Sequence, residues 1–148
     1  MFKTLFCHSE RLYYGSKLLS YFIDVPYEEI LSKISLKNTE LNKDSVLVKN
    51  ERCDYVAQIE DTLLNVEVNC SSDKETMLRN IEYVYRLFSN KIKVGSDYKY
   101  SKVVQFNLNN FSFVGHDKIM DVYSFQNDEK LRLANDMIIV IIYVPNIV

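Results

Sequence analysis

Arg52-Cys53-Asp54-Tyr55-Val56-Ala57-Gln58-Ile59-Glu60, then Asp61-Thr62, then Leu63-Leu64-Asn65-Val66-Glu67-Val68-Asn69-Cys70 is the stretch that decides the fold. Its first segment alternates, with Tyr55, Ala57 and Ile59 on one face and Asp54, Val56 and Gln58 on the other. The second alternates again, Leu64, Val66 and Val68 against Asn65, Glu67 and Asn69. Two period-2 segments joined by two turn residues, Asp61-Thr62, predict a β-hairpin. Side chains two apart on a strand share a face, so Glu67 and Asn69 point the same way. Asp54, on the neighbouring strand, is then placed to approach Glu67.

Two carboxylates at a sheet edge, with the Val68 backbone carbonyl, make a hard oxygen donor set of the kind Mg²⁺ or Mn²⁺ prefers. A cation held there lowers the pKa of a bound water and neutralises nearby developing negative charge. Asn69 would stand beside that water. On spacing alone a second reading is favoured, in which Asp54 and Glu67 are solvated carboxylates on an exposed hairpin face, because such an acidic spacing is common by chance.

Apolar residues at Leu12, Tyr13, Leu19, Phe22 and Ile23 predict a helix from about Ser9 to Asp24. Pro26 ends it or opens a second helix over Tyr27 to Ile34. Ser45-Val46-Leu47-Val48 reads as a short strand ahead of the hairpin. Beyond the hairpin, Ser71-Ser72-Asp73 is a helix N-cap signal. Met77, Leu78, Ile81, Val84, Tyr85 and Phe88 predict the apolar stripe of the following helix, with Glu75, Arg79, Glu82 and Arg86 opposite. Lys102 to Leu108, Ile119 to Phe125 and Met137 to Val144 read as strands, the last as the most buried. The expectation is one mixed α/β domain over residues 1–148, without internal repeats or linkers.

Composition narrows the classes. A hydrophobic fraction of 47% and a charged fraction of 26% are those of an ordinary globular chain. Three glycines and two prolines favour regular elements over a loop-rich sandwich. A net charge of −2 gives no global basic signature, so any contact with nucleic acid must be local. Cys7, Cys53 and Cys70 have no zinc spacing and read as reduced thiols of a cytoplasmic protein. The run from Met137 is too short to span a bilayer, so no membrane partner is expected.

The ordered set of motifs resembles the PD-(D/E)XK nuclease superfamily. More narrowly it is similar to the recombination-promoting nuclease group, also called PD-(D/E)XK nuclease family transposases. The matching residues are Phe2-Lys3-Thr4-Leu5-Phe6, Leu18-Leu19-Ser20-Tyr21-Phe22, Arg52-Cys53-Asp54, Asn65-Val66-Glu67-Val68-Asn69, Leu78-Arg79-Asn80 with Tyr83, Val94-Gly95 with Tyr98, and Val104-Gln105-Phe106-Asn107. The resemblance implies a restriction-endonuclease-like mixed β-sheet flanked by helices. It also implies a metal-dependent DNA endonuclease with Asp54 and Glu67 as catalytic metal ligands, Val68 adding its carbonyl and Asn69 positioning the water. Glu40, and less so Glu28 or Glu29, stand where the superfamily often adds an acidic residue, which would make Glu40 a further metal ligand or a support to one.

Asn69 departs from the pattern. The wider superfamily carries Lys there and this group mostly Gln, whereas an amide carries no cation and Asn is a methylene shorter than Gln. The chain also starts directly at Met1-Phe2 and ends near Tyr143-Val144-Pro145, which suggests a short natural form or the nuclease domain alone. These departures leave a second reading, a weakly active or inactive nuclease-fold module that binds DNA or a protein partner, as a mobile-element protein blocking a host factor would.

Lys49, Arg52, Arg79 and Arg86 are candidate DNA-backbone contacts, with Lys43, Lys91 and Lys93 nearby in sequence. Arg79 and Arg86 also pair with Glu75 and Glu82 at i, i+4 spacing. Tyr98 and Tyr100 could stack on a base. His8 beside Cys7 lacks further ligands, and His116 reads as solvated. A homodimer is plausible, since cutting both strands of a duplex needs two sites. The C-terminal strand, pairing through an exposed edge, is the candidate interface.

Overall fold

The computed structural model describes residues 12–23, 25–37, 53–89, 102–131 and 137–147. The chain runs through α1 (Leu12–Ile23), α2 (Tyr27–Lys33), β1 (Ile34–Leu36), β2 (Tyr55–Ile59), β3 (Thr62–Asn69), α3 (Lys74–Ser89), β4 (Val103–Asn109), β5 (Met120–Ser124) and β6 (Met137–Tyr143), then a 3₁₀ turn at Val144–Asn146. The six strands form one sheet in the order β1-β2-β3-β4-β6-β5. β3, β4 and β6 are parallel; β2 on one side and β5 on the other run against them, and β1, antiparallel to β2, runs with them. α3 supplies the crossover that two adjacent parallel strands require.

The hairpin forms as β2 and β3, with Tyr55 opposite Val66 and Ile59 opposite Thr62. The turn falls one residue earlier than expected, at Glu60-Asp61, and Glu60 takes a positive φ of 51°. Thr62 is thereby drawn into the ladder, because a β-branched residue fits a strand better than a left-handed turn.

One face of the sheet packs on α1 and α2. Tyr55, Ala57, Leu64, Val66, Val104, Phe106, Val140 and Ile142 meet Leu19 and Ile30 in an apolar core. Gly15 allows the close approach of α1, since a Cβ there would lie 2.6 Å from the Tyr55 phenol oxygen. Pro26 is the N-cap residue of α2, with φ −54°.

The other face carries α3. Its inner edge is apolar, with Cys53, Val56, Leu63 and Val103 against Tyr83, Val84 and Leu87. Toward the carboxyl ends of the strands it turns polar. Asn65, Glu67, Asn69, Gln105, Asn107 and Asn109 are all buried there.

Several sequence expectations are corrected. The second helix stops at Lys33, and Ile34 begins β1, which pairs with β2. Ile34 is the partner of Ile59 across that edge, so tertiary pairing overrides a helical spacing that continued through it. The stripe on α3 is rotated. Thr76, Asn80, Tyr83, Val84 and Leu87 are buried, whereas Leu78 is 56% and Tyr85 65% exposed. The sheet beneath is polar, so α3 turns Thr76 and Asn80 toward it and leaves apolar side chains outside. β6 is not the most buried strand. That is β4, which sits at the centre with all but Leu108 buried. Nor has β6 a free edge, since β4 and β5 flank it. Among the described residues the outer strands are β1 and β5. The expected strand at Ser45–Val48 lies outside the described residues.

Candidate active site

Asp54 precedes β2 and faces Glu67 across the hairpin, at the carboxyl end of β3. Open α/β sheets bind ligands at the carboxyl ends of parallel strands. The two residues clasp each other. The Asp54 backbone N–H donates to Glu67 Oε1 at 3.0 Å, and the Val68 N–H donates to Asp54 Oδ2 at 3.1 Å. These bonds fix both carboxylates where the regular ladder runs out at Tyr55.

Glu67 is only 4% exposed. Burial and the neighbouring Asp54 carboxylate push its pKa up to about 7, against the Asp54 N–H, the Asn65 side chain and the Arg79 charge, which favour ionisation. The hairpin face is therefore covered and not solvated, which removes the reading in which Glu67 is a surface carboxylate.

Asn65, Glu67 and Asn69 stand in register with Gln105, Asn107 and Asn109 of β4. Asn65 Nδ2 donates to Gln105 Oε1 at 2.9 Å. Gln105 Nε2 donates to Asn107 Oδ1 and to the Asn80 backbone carbonyl of α3, each at 2.9 Å. Asn69 Nδ2 donates to Asn109 Oδ1 at 2.9 Å. The acidic pair thus rests on a buried amide network that ties β3 to β4 and to α3. Sequence reasoning missed Gln105, Asn107 and Asn109 as a set. Their signal was a period-2 polar run inside a strand whose other face is apolar.

Of the expected site residues, the structure joins Asp54, Glu67 and Val68 by hydrogen bonds, and Asn69 follows at the end of β3. Asn69 is 2% exposed, with its amide nitrogen committed to Asn109. Arg79, exposed on α3 and 6.0 Å from the Tyr83 ring centroid, adds positive potential at Glu67. Arg86 sits further along α3, bound to Glu82 at 2.8 Å, its side chain only 13% exposed. Glu29 bonds Lys33, which also reaches Glu60 at the turn end of the hairpin, away from Asp54. Glu40, Lys49 and Arg52 lie outside the described residues, as do Cys7, His8, Lys43, Lys91, Lys93, Tyr98 and Tyr100.

His116 is not a solvated loop residue. Its ring packs at 4.5 Å from that of Tyr143, with Nε2 3.0 Å from Asp121 Oδ2. Tyr143 also donates to Asp121, at 3.1 Å, and burial with that carboxylate pushes its pKa up to about 12. Cys53 is buried just ahead of β2 and Cys70 is exposed just past β3.

Among the described residues, no group of three or more His, Cys, Asp or Glu side chains converges. A cation here would draw its other ligands from carbonyl, amide and water oxygen. The side-chain donors of the pair are all oxygen, two carboxylates, with Val68 of the backbone beside them. That set fits a hard divalent ion and not a soft one. No described helix is long and apolar enough to cross a membrane.

A mixed sheet with helices on both faces and an acidic pair at the carboxyl end of its hairpin strand defines an α/β restriction-endonuclease-like fold. The family model for PD-(D/E)XK nuclease family transposases matches residues 1–148, and the chain belongs to that family. No curated protein matches the chain. Nucleases of this superfamily generally use divalent metals.

Proposed function

We propose that this protein is a Mg²⁺- or Mn²⁺-dependent DNA endonuclease that hydrolyses phosphodiester bonds at the Asp54–Glu67 centre. The observation that carries this reading is the reciprocal clasp between the two residues, with Glu67 buried against a second carboxylate. Burying like charges together is costly, and a divalent cation is the partner that offsets it. Asp54, Glu67 and the Val68 carbonyl would hold the ion. When bound, it supplies an activated water and neutralises charge on the phosphate. Asn69 orients the water, and Arg79 draws the DNA backbone toward the site. Such chemistry suits a cytoplasmic protein acting on DNA.

Two measurements test this. Calorimetric titration with Mg²⁺ and Mn²⁺ is expected to show binding at millimolar concentrations that Asp54→Ala and Glu67→Ala abolish. Nicking of supercoiled plasmid is expected to require the metal and both carboxylates. Cleavage that survives either substitution overturns the assignment.

One observation favours a second reading. Asn69 is enclosed and tied to Asn109, where a Lys would carry a mobile cation. A nuclease-fold module that binds DNA or a protein without cutting would tolerate this. Absence of metal binding in the same titration, with DNA or protein binding retained, selects that reading.

A further inference from the structure

Among the described residues β5 is an outer strand, and its edge lacks the features that usually keep a strand edge from pairing. From Ile119 to Phe125 there is no Lys, Arg or Pro. The one charge in that run, Asp121, is turned to His116 and Tyr143. Ile119, Met120, Val122, Tyr123 and Phe125 are 42–55% exposed. The apolar surface continues from Tyr123 and Phe125 into a cleft of about 200 Å³ whose other walls include Ile81, Val84, Met137 and Ile139. Contiguous apolar surface of this kind marks an interaction site.

The ladder fixes which backbone groups the edge offers. The Tyr143 N–H donates to the Ile119 carbonyl at 2.9 Å. Alternate residues of an antiparallel strand face its partner, so Ile119, Asp121 and Tyr123 face β6. Met120, Val122 and Ser124 therefore turn their N–H and C=O groups outward. Such an edge is completed by an extended strand, and a second copy of β5 supplies one. When two copies run antiparallel about a two-fold axis at Val122, Val122 stands opposite Val122 and Met120 opposite Ser124. Every outward group of the three residues then finds a partner. The side chains agree with this register. Val122 meets its own copy, Ile119 meets Phe125, and Asp121 meets the Tyr123 phenol.

We propose that β5 pairs with β5 of a second copy in this register, joining two sheets into one across a two-fold axis. A whole aromatic side chain presents about 150–250 Å², so the five half-exposed side chains offer roughly 400 Å² per copy. A standard interface uses about 800 Å² per partner, so strand pairing gives a weak dimer whose population follows concentration.

The test is the oligomeric state of the full chain. Analytical ultracentrifugation is expected to show dimers at tens of micromolar. Val122→Lys and Val122→Glu each set two like charges opposite one another on the axis, and each is expected to weaken self-association by about 100-fold or more. An equimolar mixture of the two is expected to regain the dimer, because Lys then faces Glu. Hydrogen exchange reads the same contact without a substitution. The Met120, Val122 and Ser124 amides of the wild-type protein are expected to exchange about tenfold slower in concentrated than in dilute solution. A wild-type chain that stays monomeric up to about 1 mM overturns the proposal and leaves the edge to a strand of a different protein. Val122→Lys dimers as strong as wild type, a mixture that stays monomeric, or exchange at the three amides that ignores concentration overturn it as well.

Discussion

Asp54 and Glu67 each accept a backbone N–H from the other's strand, Glu67 from Asp54 itself and Asp54 from Val68, at 3.0 and 3.1 Å. The acidic pair is therefore part of how the hairpin ends as well as a candidate cation site. Substitutions at the two positions affect stability and chemistry together, and the choice of replacement separates them.

Asp54→Asn keeps an oxygen for the Val68 N–H, whereas Asp54→Ala leaves that donor unpaired at about 1–3 kcal/mol. Urea unfolding is expected to show Asp54→Ala less stable than Asp54→Asn. Both are expected to lose nicking activity, by roughly 100-fold or more. An Asp54→Asn protein that cuts DNA at the wild-type rate contradicts the metal role.

The raised pKa of Glu67, about 7 against an ordinary 4.5, sets a pH dependence in the metal-free protein. Between those values the folded state binds a proton that the unfolded state has released. The associated stability is fully present below pH 4.5 and is lost as pH rises through about 7. Its size is about 3 kcal/mol. Glu67→Gln removes the titration, so its urea midpoint is expected to exceed wild type at pH 8 and to vary less from pH 5 to 8. A wild-type midpoint that rises over that range, with no gain in Glu67→Gln, contradicts the burial-driven shift.

α3 offers a direct test of its orientation. Leu87 is buried and Leu78 is 56% exposed. Leu87→Ala is expected to cost about 2–4 kcal/mol and Leu78→Ala under about 0.5 kcal/mol. Thermal denaturation of the two variants checks the difference. The reverse order would restore the stripe expected from sequence.

Asp73 caps α3, accepting the Thr76 N–H at 2.7 Å, and the Ser71 hydroxyl, followed by that N–H, holds its carboxyl below the usual range. Asp73→Ala is expected to lower the urea midpoint. Asp73→Asn, which can still cap, is expected to recover most of the loss. Equal losses in both would remove the capping account.

The amino-acid sequence by itself determined the hairpin, the faces of its two strands, the placing of Asp54 beside Glu67, the cap at Asp73 and the family. Those features rest on local periodicity and short-range spacing. A period of two fixes which side chains share a face wherever a strand goes. Only the tertiary structure decided what each face meets. β1 exists because Ile34 finds Ile59, a partner 25 residues on, which no local pattern announces. α3 is rotated because β3 and β4 present amides beneath it, and those amides matter only once Asn65 and Gln105, or Asn69 and Asn109, are aligned by a parallel register. On spacing Glu67 stood between a solvated acid and a metal ligand, and the sheet makes it a buried acid with a pKa near 7. Burial and long-range pairing are properties of the whole sheet, and they turn a common acidic spacing into a candidate centre.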